Sequence, residues 1–273
     1  MEDLTIEEIA KQAMVSPYYF QKGFAMLCGF SVREYIKKRR LALAGSAIAS
    51  TDEKIIDIAL AYGYESPDSF TKAFCRFHGA TPAAVRKGEA MVKSFAPLAV
   101  TFTLTGGYMM DYKIMQKASF TIVGLPRTLS YENVEAAASE FWQDFAKAGY
   151  HEQINSCYGI SIDQEGGGGT FEYLIAGDYA PWKEIPKGFV TRLIPEQTWA
   201  VFACHGALNG KGGPGTLTDV YEKIFRQWLP SYPQYQIAAG YHVEWYDDPT
   251  AYPLGVNDEK YYSEIWIPVT YRS

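Results

Sequence analysis

The sequence predicts a multidomain chain, an all-α double helix-turn-helix domain followed by an α+β domain of two strand-helix-strand-strand repeats. Composition is the first reason. Residues 1–110 hold 13 Lys+Arg and 11 Asp+Glu, a net of +2, whereas residues 111–273 hold 12 and 20, a net of −8. Aromatic residues divide 14 to 28, and all six Trp fall in the second part. The second reason is an internal repeat. Ile6, Ile9 and Ala10 match Ile55, Ile58 and Ala59 at an offset of 49. Ser16, Pro17, Phe20, Lys22, Phe24 and Gly29 then match Ser66, Pro67, Phe70, Lys72, Phe74 and Gly79 at an offset of 50. The third is an order of strands and helix that runs through residues 111–273 twice.

Each element has a local cause. Ile6, Ile9, Ala10 and Ala13 recur at helical intervals, as do Phe20, Phe24 and Leu27. Residues 33–48 form a longer helical run in which Lys37, Lys38, Arg39 and Arg40 make a basic block. Ile55, Ile58, Ala59 and Tyr62 give a further helix, and Phe70, Phe74 and Phe77 another. Ser16-Pro17 and Ser66-Pro67 each set a capping hydroxyl before a proline suited to the first helical turn. In the second part, residues 114–125, 158–162 and 171–177 read as strands, and 132–148 as an amphipathic helix with Phe141, Trp142 and Phe145 on its apolar side. Strands over 189–193 and 198–204, a helix over 216–228, and strands over 237–245 and 261–269 repeat that order. The glycine runs at 166–169 and 210–215 read as surface turns; neither is followed by the GKS or GKT of a phosphate loop. Pro97 and the Gly106-Gly107 pair punctuate the join, which places domains over 1–88 and 111–273 and a linker over 89–110.

Several classes drop out. With 48% apolar and 21% charged residues, the 273-residue chain is globular, not disordered or fibrous. No apolar stretch approaches the roughly 18–20 residues of a membrane span. The start, Met1-Glu2-Asp3-Leu4, lacks a secretory n-region and apolar core, so a cytoplasmic protein is expected. Cys28, Cys75, Cys157 and Cys204 form no CxxC pair and read as buried thiols. His151, His205 and His242 share no metal-ligand spacing, so neither metal nor cofactor is expected. The total charge of −6 argues against nucleic acid, but its division between the two parts removes that objection.

Two helix-turn-helix units on one long helix have the geometry to enter successive major grooves. Tyr18, Tyr19, Gln21 and Lys22 lie off the Phe20–Phe24 stripe, and Asp68, Ser69, Thr71 and Lys72 occupy the same face of the second unit. Gln can address adenine, Lys guanine or phosphate, and Asp cytosine. Arg39, Arg40, Arg76, Arg86 and Lys87 suit backbone contacts. The bland alternative for each residue is a solvated helix face.

The runs LTIEEIAKQAMVSPYYFQKGFAMLCGFSVREYIKKRRLALA and KIIDIALAYGYESPDSFTKAFCRFHGATPAAVRK resemble the DNA-binding region of the AraC/XylS family of transcription regulators. The resemblance implies base-contacting roles for Tyr18, Gln21, Lys22, Pro67, Asp68, Ser69 and Lys72. It also implies double-stranded promoter DNA as a partner, with RNA polymerase a further candidate. Family members carry a full helix before the first motif; here the chain begins at the end of that helix, so a first helix is expected to be missing.

FEYLIAGDY (171–179), TWAVFACHG (198–206), DVYEKIFRQWL (219–229) and YYSEIWIPV (261–269) resemble the GyrI-like effector-binding domain. That resemblance implies an aromatic pocket between the half-repeats with Glu264 as its acid, flanked by Tyr262 and Trp266. A mid-strand carboxylate among aromatics is costly to desolvate. It is paired internally, faces water by alternation, or awaits a cation that aromatic faces also stabilise. Glu172 poses the same question beside Tyr173, and Trp142, Trp199, Tyr241 and Trp245 are further candidate walls. The effector expected is a small aromatic or cationic amphipathic molecule, and the chain is expected to be a non-enzyme. The alternative is a small-molecule-binding protein or GyrI-like hydrolase with a non-functional DNA-binding region, Glu172 and Glu264 being the acids available to it. Cys204 and His205 are neighbours in a strand and point to opposite faces, which discourages a Cys–His couple.

Overall fold

The computed structural model describes residues 5–99, 110–163, 169–208 and 215–272. The Met1–Leu4 start, the Gly106-Gly107 pair and most of the two glycine runs lie outside the described residues. Six helices come first: α1 (Ile6–Gln12), α2 (Pro17–Cys28), α3 (Val32–Ser50), α4 (Ile55–Ala61), α5 (Pro67–His78) and α6 (Pro82–Arg86). The repeat read from the sequence governs their ends. The hydroxyls of Ser16 and Ser66 accept from the N–H groups of Tyr19 and Ser69, and Gly29 and Gly79 close α2 and α5 in the left-handed region at φ +77° and +81°.

The chain divides into two compact units, residues 30–107 and residues 1–29 with 108–273. The first holds α3–α6 around Leu41, Ile48, Ile58, Phe70 and Phe74. His78 is buried there, its Nε2 donating to the Leu41 carbonyl at 3.0 Å and its Nδ1 accepting from Lys93 N–H at 3.0 Å. Gly45 makes room for that ring, since a Cβ would meet it at 2.5 Å. Arg86 donates to the Ile48 and Glu53 carbonyls near the C-terminal end of α3.

The second unit holds α1, α2, α7 (Val134–Lys147), α8 (Leu217–Lys223) and a nine-stranded sheet. Its strands are β1 (Tyr112–Lys117), β2 (Phe120–Ser130), β3 (Ser156–Asp163), β4 (Thr170–Asp178), β5 (Val190–Ile194), β6 (Gln197–His205), β7 (Tyr235–Ile237), β8 (Tyr241–Tyr246) and β9 (Tyr262–Tyr271). The order β1-β6-β9-β8-β3-β4-β2-β5 is a palindrome of the two repeats about the β8–β3 pair, with β7 beside β9. The edge strands are exchanged: β1 pairs with β6 of the second repeat, and β5 with β2 of the first. Only Ala118 and Ser119 join β1 to β2, although the two strands lie near opposite ends of the order. A link that short reaches about 10 Å, so the sheet curves until its ends approach.

Two expected strands divide in two. The run 114–125 is broken at Ala118-Ser119, where the chain passes from the β6 edge to β4 and β5. The run 237–245 is broken after Ile237, and the two pieces pair with β9 separately. Apolar alternation continues across both breaks and hides them. The helix expected over 216–228 is α8 followed by a π-helical turn, Ile224–Trp228. Of the four thiols only Cys204 is buried; the other three are half-buried, and all are free.

Candidate functional site

Strand alternation gives the sheet two unlike faces. Phe171, Tyr173, Phe202, Ile265 and Ile267 look toward the helices, with Phe141, Phe145, Tyr221 and Trp228. Ile160, Leu174, Trp199, Val243 and Trp266 lie on the other face. On β8, His242, Glu244 and Tyr246 alternate toward the helices while Tyr241, Val243 and Trp245 point away.

Glu244 is the centre of the helix-side face. Its carboxylate accepts from the Tyr221 hydroxyl at 2.8 Å, from Tyr246 at 2.8 Å and from Tyr173 at 3.2 Å, and Trp142 Nε1 donates in turn to Tyr173 at 3.0 Å. Gly159, directly across the β3–β8 ladder, opens this space, because a Cβ there would meet the Tyr173 hydroxyl at 2.2 Å. His242 Nε2 lies 3.7 Å from Glu244 Oε1, and the two side chains are 1% and 14% exposed.

Helix α2 completes the site. Tyr18 and Tyr19 are 1% and 2% exposed. The Tyr18 N–H donates to Asp163 at 2.9 Å, and its hydroxyl meets His242 Nε2 at 3.1 Å. The Tyr19 hydroxyl donates to the Tyr241 carbonyl at 3.1 Å. Lys22 Nζ stands 3.3 Å over the centre of the Tyr221 ring, 3.1 Å from the Tyr18 hydroxyl and 3.3 Å from His242 Nε2. Gly23 lets α2 lie against the π-helical turn, since a Cβ would meet Phe225 at 3.2 Å.

The charges follow. Burial would raise the Glu244 carboxyl, but the His242 imidazole beside it, the charge of Lys22 and the Tyr221 hydroxyl outweigh burial and hold it at about 2. Burial lowers Lys22 to about 7 against the attraction of Glu244 and Glu135. Burial and the Lys22 charge lower His242 to about 4. His242 is therefore neutral at pH 7. Burial and the Glu244 charge push the hydroxyls of Tyr173, Tyr221 and Tyr246 well up, keeping them donors. The result is an ionised carboxylate held by tyrosine hydroxyls among aromatic rings.

Residues 110–270 match the family described as the GyrI-like small molecule binding domain, and residues 9–88 match a helix-turn-helix domain. The chain belongs to the GyrI-like family, behind an AraC-type helix-turn-helix region. The helix-turn-helix region is 40% identical over 85 residues to the HTH-type transcriptional regulator YbfP of Bacillus subtilis, covering 31% of this chain and 29% of YbfP. It is 36% identical over 90 residues to PqrA of Proteus vulgaris, a probable transcription factor, covering 33% of this chain and 74% of PqrA. The right origin-binding protein of Escherichia coli is 27% identical over 150 residues, 53% of this chain and 51% of its own length. The GyrI-like domain is similar in structure to SAV2435 bound to tetraphenylphosphonium, with 23% identity over 59% of this chain and 94% of that one, at a TM-score of 0.49.

The acid singled out in the sequence is not Glu244. Glu264 lies on the GyrI-like domain's other face, where it accepts from Trp266 Nε1 at 2.6 Å and Tyr262 at 2.8 Å and pairs with Lys113 at 3.2 Å. Glu172 pairs with Arg192 at 3.2 Å. The two pairs are equivalents, each cation coming from an exchanged edge strand, β1 or β5. Both acids thus have partners of their own. Trp199, Tyr241, Trp245 and Trp266 share their face, whereas Tyr173 and Trp142 stand beside Glu244. Cys204 is buried and His205 exposed, on opposite sides of β6. Among the described residues no group of three or more His, Cys, Asp or Glu could hold a metal. No helix among them is long and apolar enough to cross a membrane.

The residues assigned to DNA separate. Pro67, Asp68, Ser69, Lys72 and Arg76 are exposed on α5. Tyr18 and Tyr19 are buried with partners on β3 and β8, and Gln21 is buried as well. Arg39 is half-buried and donates to the Phe95 carbonyl, and Arg40 lies against Gly63, where a Cβ would meet its guanidinium at 2.6 Å. Sequence reasoning missed Glu244, His242 and Tyr221. The alternation of His242, Glu244 and Tyr246 against Val243 and Trp245 was the available signal.

Proposed function

We propose that this chain is a DNA-binding transcription regulator whose GyrI-like domain senses a small organic cation at Glu244. The observation that carries the reading is Lys22, whose ammonium rests on the ring of Tyr221 while the hydroxyl of that ring binds Glu244. The site thus already accommodates one cation. A buried carboxylate and aromatic faces favour charge over an uncharged molecule of the same shape. The helix-turn-helix region supplies the DNA-binding half through the exposed face of α5, and effector binding alters promoter engagement in proportion to its unequal affinity for the two states.

Choline and its neutral isostere 3,3-dimethylbutan-1-ol test the sensing half, with Trp142 as the fluorescent reporter. The expected result is at least tenfold tighter binding of choline, with the preference erased by Glu244→Gln. Equal affinity for both compounds in the native protein overturns a cation site. For the DNA half, selection from a random duplex pool is expected to enrich a defined site whose affinity falls steeply with salt. A pool that stays random refutes it.

A further inference from the structure

The helix that sets Lys22 on the ring of Tyr221 is also the second helix of the first helix-turn-helix repeat. Its Ser-Pro start, Phe20, Phe24, Lys22 and terminal Gly29 are those of α5, but its outward positions carry Tyr18 and Tyr19 where α5 carries Asp68 and Ser69. Those two rings are buried in the sheet's unit, and both hydroxyls have partners on β8. The N-terminal turn is held by Asp163, which also accepts from Tyr131 at 2.8 Å, and the C-terminal turn by Arg226, which donates to the Met26 carbonyl at 3.1 Å. A helix anchored in this way cannot also lay the same side chains in a groove.

We propose that Lys22 is the resident cation of the Glu244 pocket, and that a soluble cation binds there by displacing Lys22 and releasing α2. The inference rests on the cation reading of the pocket and adds that its occupant is part of the chain. Three features make Lys22 a displaceable occupant. It reaches Glu244 through the ring and hydroxyl of Tyr221, so a cation seated closer to the carboxylate gains more from it. Burial leaves its ammonium with a pKa of about 7, whereas a quaternary ammonium stays charged at every pH. The boundary of the compact unit falls between Gly29 and Phe30, with Gly29 at φ +77°, so α2 can leave as a piece without melting α3. Linkage then makes effector binding and presentation of α2 two sides of one equilibrium: whatever excludes Lys22 from the pocket raises the affinity for the soluble cation.

The test uses the full chain, choline as probe and Lys22→Met, which keeps the stem and removes the charge. The variant is expected to bind choline at least tenfold more tightly than the native protein. In the native protein, saturating choline is expected to speed hydrogen exchange of the α2 amides at least tenfold, with those of α5 unchanged. Equal choline affinity in protein and variant, or α2 amides indifferent to choline, overturns displacement while leaving the cation site standing. Failure of both proteins to bind choline in a Glu244-dependent way overturns the cation site and the displacement together. If Lys22→Met does not fold, the exchange measurement on the native protein decides alone.

Discussion

Helices α2 and α5 are copies of one design with opposite surroundings. Both are twelve residues long, both begin on a serine cap and proline, and both end on a left-handed glycine. In α5 the face beside the phenylalanine stripe is exposed through Pro67, Asp68, Ser69, Lys72 and Arg76. In α2 the matching face is buried at Tyr18, Tyr19 and Gln21. Of the positions at which the two helices differ, Tyr18 and Tyr19 against Asp68 and Ser69 change the character of the face most. Tyrosine rings recover free energy on leaving water and carry hydroxyls that find partners inside, whereas an aspartate at the same place resists desolvation. A local motif therefore fixes the helix, and its outward side chains decide what the helix touches.

The comparison breaks most readily at Tyr18. Tyr18→Ala should cost the sheet's unit about 3–5 kcal/mol in urea unfolding, the range for deleting a buried aromatic ring. Asp68→Ala, its counterpart on α5, should stay within about 0.5 kcal/mol as an exposed change. Small, equal losses at both positions would mean that α2 is as free as α5.

Acid should unseat α2 with a predictable sign. Glu244 is depressed from 4.5 to about 2, so its contribution is full above pH 4.5 and is lost as pH falls toward 2. At about 1.4 kcal/mol per unit this is on the order of 3–4 kcal/mol. His242 is depressed from 6.5 to about 4, so the unfolded chain takes up its proton first and stability also falls from pH 6.5 to 4. Lys22, depressed from 10.5 to about 7, adds a loss as pH falls from 10.5 to 7. The groups facing these three are Tyr18, Tyr173, Tyr221, Tyr246 and Glu135. Urea midpoints across pH 2.5–10.5 should show all three limbs. His242→Gln should remove the middle one; a native profile flat between pH 6.5 and 4 would rule out the neutral buried imidazole.

Asp163→Asn should cost about 1–2 kcal/mol, because it weakens charge-assisted bonds to the Tyr18 amide and the Tyr131 hydroxyl. The cap serines should show where the two helices are alike: Ser16→Ala and Ser66→Ala should each cost about 1 kcal/mol. The smallest effect is expected on DNA. Lys72→Ala should lower the salt slope of binding by about one, as the loss of one phosphate contact does, while Lys22→Ala should leave it unchanged as long as α2 is held. An equal change for both lysines would place both helices on DNA.

Much of the fold was legible because its signals are local. The Ser-Pro starts, the glycine stops and the phenylalanine spacing gave α2 and α5. Period-two alternation gave most strands, and their recurrence gave the repeat. The breaks after Lys117 and Ile237 were not legible, since a turn that preserves alternation leaves no mark on it. Of the residues the sequence offers for a ligand site, Tyr173 and Trp142 stand beside Glu244, whereas Glu264 and Glu172 lie on the other face with cations of their own. All three acids stand among aromatics in strands. They differ in the cation beside them: Lys113 and Arg192 come from strands exchanged between the repeats, and Lys22 comes from a helix more than 200 residues away in the chain.

The sequence alone determined two duplicated halves, one helical and near neutral, one acidic, aromatic and sheet-forming, because caps, periodicity and charge act between near neighbours. Only the tertiary structure decided which face of the sheet the helices cover, which glutamates pair with a cation from an exchanged edge strand, and that the outward face of α2 is buried. Those outcomes depend on pairings between distant segments, where burial energy and desolvation are set by what arrives from elsewhere in the chain.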